Sequence, residues 1–269
     1  MARNQITDDA GQTHDPAHKG ARILSLVPSL TELLFEMELS ENLIGRTSFC
    51  VHPQIMVNTV PSVGGTKRIN MEKVAALKPT HALVNIDETP KQMAETLAAM
   101  GITVVVTHPI EVADNRNLFD LMGALFDRSS QARALTARFD AALGDFDDIP
   151  TRRTALYLIW KAPWMTISQD TYISRFLSAG GWRTIPHNPT IRYPEIEIDN
   201  SLLNQVDDIL FSSEPFTFTD AHISAFKATF PNHSEKVRRI DAEMVSWYGS
   251  RAIQGLSYLK SFSNQVRQI

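Results

Sequence analysis

The sequence predicts an α/β protein of two lobes joined by a long helical segment. Three observations carry that prediction. Apolar, strand-like runs alternate with helical patterns up to Thr107, as in a parallel α/β lobe. A proline-free stretch from Val112 to Phe146 follows, and then the alternation resumes. The two halves also echo each other. Glu72 leads a short amphipathic helix and then the run Ala82-Leu83-Val84, and Asp199 leads Asn200 to Asn204 and then Ile209-Leu210-Phe211; Leu83 and Leu210 each lie eleven residues after their acid.

In order, residues 1–20 are polar and read as a disordered leader. The first lobe is expected over 21–110. Arg22 to Leu26 forms a buried strand, and Ser29-Leu30-Thr31-Glu32 reads as a capping box opening a helix. Leu43-Ile44-Gly45 begins a strand, and Thr47 to Gly65 is loop. Pro90 opens a helix that Gly101 closes, and the β-branched run Thr103–Thr107 suits a buried parallel strand.

The connector, 111–148, carries Leu118, Leu121, Met122, Leu125, Phe126, Ala132, Leu135 and Phe139 at helical spacing. Unbroken, it would span roughly 50 Å. Ser129-Ser130 is where it would kink or divide, and two successive helices of a larger bundle are the alternative. A polar turn runs from Asp145 to Thr151. In the second lobe, 149–269, strands are expected at Ala155–Ile159, Ile209–Phe211 and Val237–Ile240. A helix capped by Asp170 should stop at Gly180-Gly181, and a last helix starts near Ser250.

Composition narrows the function. A net charge of −4 argues against a nucleic-acid partner, and no apolar run reaches the ~18 residues of a membrane span. The leader has no apolar segment of the kind a secretory signal needs, so the chain as written is expected in the cytoplasm, and in the periplasm if its signal lies outside it. With Cys50 alone, no internal disulfide forms. Gly64-Gly65-Thr66-Lys67 lacks the upstream glycine of a phosphate loop, and no nucleophile elbow or paired-histidine zinc motif is present. The chain is therefore expected to be a non-enzymatic binder with no cofactor of its own.

The aromatic residues point to the ligand. All four tryptophans lie in the second half. Trp160 and Trp164 stand just past a strand's C-terminal end, where open α/β sheets bind ligands. Trp247-Tyr248-Gly249-Ser250-Arg251 and Arg192-Tyr193-Pro194 are equivalent loops. Aromatic rings beside arginines suit a large, flat, partly polar ligand. Trp182 reads equally as core. Cys50 and His52, in Cys-Val-His-Pro, are soft or borderline metal donors, and His52 is the candidate metal contact.

The chain also resembles a known family. Leu24-Ser25-Leu26-Val27-Pro28-Ser29-Leu30-Thr31-Glu32-Leu33, Val63-Gly64-Gly65 and Asn70-Met71-Glu72-Lys73-Val74-Ala75-Ala76-Leu77-Lys78-Pro79 are similar to the substrate-binding proteins of vitamin B12, iron-siderophore and haem ABC transporters. The likeness covers about residues 21–265 and is strongest to the vitamin B12-binding branch. It implies two Rossmann-like lobes bridged by one long backbone helix, the class III periplasmic-binding-protein architecture, in a monomer that captures a metal-containing macrocycle between its lobes. Cobalamin or a related corrinoid is the first expectation. A ferric siderophore or haem is the alternative, as is an intracellular metallochaperone or enzyme on the same scaffold. The resemblance assigns ligand contact to Phe49, Trp164, Tyr193, Trp247 and Arg251, and docking onto arginines of the transporter's membrane subunits to Glu72 and Asp199. The chain departs from the pattern at Thr66, where the B12-binding branch offers tryptophan, and at Asp199, where glutamate is usual.

Overall fold

The structure is a computed structural model that describes residues 6–146 and 153–267. The chain divides into two compact units. The first comprises Met1–Pro109, Ala113–Ala141 and Tyr248–Arg251, and the second Ile110–Val112, Ala142–Trp247 and Ala252–Ile269.

The first unit opens with an antiparallel hairpin, β1 (Ile6–Thr7) and β2 (Thr13–His14). This corrects the expected leader: residues 6–20 are described and the hairpin within them is folded. The reason is one side chain. The buried Asp8 carboxylate accepts hydrogen bonds from the Ala10 and Gln12 amides across the turn, from His14 Nε2 at 2.9 Å, and from the Val106 amide at 3.0 Å. A short acid satisfying turn amides leaves no hydropathy signal.

β3 (Ile23–Ser25) is wholly buried and leads into α1 (Pro28–Glu36). The capping box expected at Ser29 does not form. Pro28 takes the first helical turn, as its fixed φ favours, and Val27 is the N-cap with no side-chain bond. Glu32 is thereby placed inside the helix, available for another partner. β4 (Leu43–Arg46), α2 (Met71–Leu77), β5 (His81–Asn85), α3 (Lys91–Ala99) and β6 (Thr103–Thr107) complete a parallel sheet in the order β4-β3-β5-β6. Gly101, at φ +80°, turns the chain out of α3. Leu24, Leu26, Val74, Ala82, Val84 and Leu97 form the core on one face of the sheet.

The connector is not one rod over 111–148. It is two helices, α4 (Asp114–Leu125) and α5 (Ser129–Gly144), broken at Phe126–Arg128 with Asp127 at φ +56°. A Cβ on Gly123 would lie 2.6 Å from that of Ala132, and Phe119 meets Phe139 edge-to-face at 6.1 Å, so the pair folds back as a helical hairpin. The stripe of apolar residues is real, but it serves two packed helices. α5, roughly 24 Å long, crosses the boundary between the units at Ala141, one of several crossings that include Trp247–Tyr248 and Arg251–Ala252.

In the second unit, β7 (Arg153–Leu158), α6 (Tyr172–Ala179), β8 (Trp182–Thr184), α7 (Asn200–Asn204), β9 (Asp208–Ser212), α8 (Asp220–Thr229) and β10 (Val237–Ile240) build a second parallel sheet. Its order, β10-β9-β7-β8, repeats that of the first: in each sheet the first strand is flanked by the second and the third, with the fourth outermost. α9 (Ala242–Ser246) and α10 (Arg251–Arg267) follow. The cap of α6 is Thr171 rather than Asp170, and the turn expected over Asp145–Thr151 lies mostly outside the described residues. Among the described residues no helix is long and apolar enough to cross a membrane.

The echo seen in sequence is real at the strands. Leu83 and Leu210 are the middle residues of β5 and β9, and α2 and α7 both end three residues before those strands begin. It fails at the helix starts. Asn70 caps α2, placing Glu72 in its first turn, whereas Asp199 is itself the cap of the shorter α7 and accepts the Leu202 amide at 2.8 Å.

Candidate ligand-binding site

Parallel strands direct the following loops to one edge of their sheet, and in each unit that edge carries exposed apolar side chains. In the first unit Phe49, Val51, Ile55 and Met56 follow β4, and Ile86 follows β5; Phe49 is 58% and Ile55 87% exposed. The Phe49 ring lies across the Gly65 backbone, its Cε2 3.2 Å from where a Cβ would stand, a tight fit for any larger residue. Thr66, where the family offers tryptophan, is half-buried in the adjoining turn.

His52 lies in the same loop, near enough to Glu32 to act on its charge. Among the described residues no group of three or more His, Cys, Asp or Glu side chains could hold a metal ion. Cys50 is buried between the Thr31 and Thr47 hydroxyls, at 3.0 and 3.2 Å. Burial pushes its thiol up, which disfavours the thiolate that metals bind.

In the second unit the two tryptophans expected past β7 differ in exposure. Trp164 stacks on Phe218 at 6.0 Å and meets Phe211 and Phe226 edge-to-face, with the Lys161 ammonium 5.7 Å from its ring centre. Half-buried, it packs against the core on β7 and β9. Trp160 is the one that reaches out: 40% exposed just past β7, it packs edge-to-face on Phe216, which follows β9, at 5.4 Å. Sequence spacing could not separate them, because a bridge between Trp160 and Met165 folds the intervening turn back on itself. Tyr193 is half-buried with the Arg192 guanidinium 6.0 Å from its ring centre. Trp182 is core, its Nε1 donating to Asp208 at 2.8 Å.

The Trp247–Arg251 segment is largely buried, and its Trp247, Tyr248 and Arg251 side chains each end on a glutamate. In the second unit, Trp247 Nε1 donates to Glu214 Oε1 at 2.7 Å. In the first, the Tyr248 hydroxyl donates to Glu88 at 3.3 Å, and Arg251 grips Glu32 with Nε at 2.8 Å and Nη2 at 2.7 Å. The Gly249 amide donates to Asn115 Oδ1 at 2.6 Å, locking the turn that Gly249 makes at φ +78°. Burial raises the Glu32 carboxyl against the pull of Arg251, and raises Glu214 despite Trp247, with Glu243 and Asp241 adding to the rise.

The acids assigned to docking, Glu72 and Asp199, are both exposed. A surface depression of about 430 Å³ opens at the start of α2, beside Glu72. Arg68, Asn70 and Lys73 line it with no aromatic residue, so it does not suit a flat ligand.

A family model described as periplasmic binding protein matches residues 23–242. The chain belongs to the periplasmic binding protein family. The vitamin B12-binding protein of Photorhabdus laumondii is 27% identical over 195 residues, which cover 71% of this chain and 70% of that protein. The periplasmic vitamin B12 binding protein of Vibrio cholerae superposes with a TM-score of 0.77 at 18% identity, covering 92% of this chain and 98% of that one. A periplasmic heme binding protein of Pseudomonas aeruginosa does so at 0.76 and 18%, covering 90% and 91%. At these identities the superpositions establish the fold, two parallel-sheet α/β lobes of the class III type. A family of binding proteins agrees with a chain in which no nucleophile or phosphate motif was found.

Proposed function

We propose that this periplasmic binding protein captures a metal-containing macrocycle, cobalamin or a related corrinoid, and delivers it to an ABC transporter. The observation that carries the proposal is the exposed Trp160 packed on the half-buried Phe216, past the C-terminal ends of β7 and β9. Flat rings held at such an edge suit the face of a flat ligand. Phe49 offers a similar surface in the first unit. The vitamin B12-binding relative supports cobalamin as the ligand. Tyr193, Trp247 and Arg251 remain proposed contacts, the last two through whatever part their carboxylate partners leave to the ligand. Trp164, to which the resemblance also assigns ligand contact, packs against Phe211, Phe218 and Phe226, and His52 is the proposed contact to a ligand's metal.

Glu72 and Asp199 are proposed to steer docking to arginines of the membrane subunits; as exposed charges they act more on the encounter rate than on affinity. Working with such a transporter places the protein in the periplasm, and cell fractionation tests that against the cytoplasm. Calorimetric titration with cyanocobalamin tests the ligand. A one-to-one isotherm with sub-micromolar Kd supports the proposal. Heat with haemin or a ferric siderophore but none with cyanocobalamin replaces the ligand and keeps the family role.

A further inference from the structure

Tryptophan, tyrosine and arginine in one loop would ordinarily offer hydrogen-bond donors and a positive charge to an anionic ligand. In this chain Glu214, Glu88 and Glu32 accept from Trp247, Tyr248 and Arg251. The Arg251 pair is the decisive one. Two N–H groups of the guanidinium meet two oxygens of one carboxylate, the fork geometry in which both charges are matched, and both side chains are largely buried. The other groups acting on Glu32 are His52 and Glu36, and Glu36 is itself paired with Arg138 at 3.1 Å. Arg251 and Arg138 thus each already face a carboxylate, and an incoming carboxylate would lose its water to meet a neutral pair. An amide rim carries no such charge and needs only ordinary hydrogen bonds.

We propose that Glu32 is a specificity-determining residue: by neutralising Arg251 it makes the protein favour a macrocycle with an uncharged, amide-bearing rim over one with ionised carboxylates. The inference rests on the proposed function, in that Arg251 must stand near the bound ligand. Glu32 acts through Arg251, so it is a positioning residue.

The test uses the full chain and three probes: cyanocobalamin, with an amide rim; haemin, with ionised carboxylates; and haemin dimethyl ester, the same ring with its carboxylates blocked. Wild type should bind the ester at least tenfold more tightly than haemin. Glu32→Gln should narrow that gap at least tenfold by gaining affinity for haemin. Glu36→Gln, on the same helix, should leave the ratio unchanged. A merely structural pair would shift all affinities and the melting temperature together and leave the ratio intact, which overturns the inference. Wild type preferring haemin to its ester also overturns it, and needs no variant that might misfold. In both of these cases the protein still binds a macrocycle and the proposed function stands. If wild type binds none of the probes, the proposed function falls and the inference falls with it.

Discussion

Asp208 holds Arg153 across the start of two neighbouring strands, accepting Nε at 2.6 Å and Nη2 at 3.0 Å. The same buried carboxylate accepts Arg238 Nε at 2.8 Å and Trp182 Nε1 at 2.8 Å. Arg153, Trp182 and Asp208 are the first residues of β7, β8 and β9, and Arg238 is the second of β10. One side chain thus ties together all four strands of the second sheet at the edge opposite the proposed ligand surface.

Asp208→Asn should destabilise the protein by about 3 kcal/mol, because two arginines lose their counter-charge. Burial raises the Asp208 carboxyl, but bonds from Arg153, Trp182 and Arg238 outweigh it and hold it below the usual range. The stability it contributes is present above the ordinary carboxylate pKa and is lost as pH falls through the lowered folded value. Urea midpoints measured from pH 7 downward should fall more steeply for wild type than for Asp208→Asn.

Glu214→Gln should raise the melting temperature at neutral pH. The carbonyl can still accept from Trp247 Nε1, while the buried charge is gone. Here the sign is opposite. A raised folded carboxyl contributes stability that is complete below the ordinary range and lost as pH rises through the folded value. The advantage of the variant should therefore vanish near pH 4, and scanning calorimetry at pH 4 and 7.5 checks it.

Trp160→Ala and Trp164→Ala should separate binding from folding. Trp160 is exposed, so its loss should cost under about 1 kcal/mol of stability yet weaken ligand binding at least tenfold. Trp164→Ala opens the aromatic core and should cost about 3 kcal/mol. Chemical denaturation paired with titration would reverse the assignment if Trp164→Ala lost only affinity.

Asp8→Ala should release the amino-terminal hairpin, at a cost of about 2 kcal/mol for the unsatisfied amides and His14. Hydrogen exchange should show faster exchange of the Val106 amide, which Asp8 accepts, and unchanged protection along β9. Unchanged exchange at Val106 would deny the carboxylate its role.

Much of the fold was legible because strand alternation and proline and glycine punctuation are local signals. Val237–Ile240 and Thr103–Thr107 were read to the residue. Less local features were missed. The three-residue β8 is too short to show a pattern, yet its Trp182 is a tie point of the second sheet. The true capping box, Thr219 with His222 in α8, uses histidine where a glutamate is expected. Ser29 and Glu32 looked like such a box and are not one.

By itself, the sequence determined the α/β class, the two-fold echo and the family, since these follow from periodicity and from residues close along the chain. It also placed aromatic residues past the strand ends. Only the tertiary structure decided which tryptophan faces outward, that the connector folds back at Asp127, and that Arg251 meets Glu32 rather than standing open. Those outcomes depend on what a side chain meets from a distant part of the chain: Glu32 and Arg251 lie 219 residues apart, a relation that no local pattern encodes.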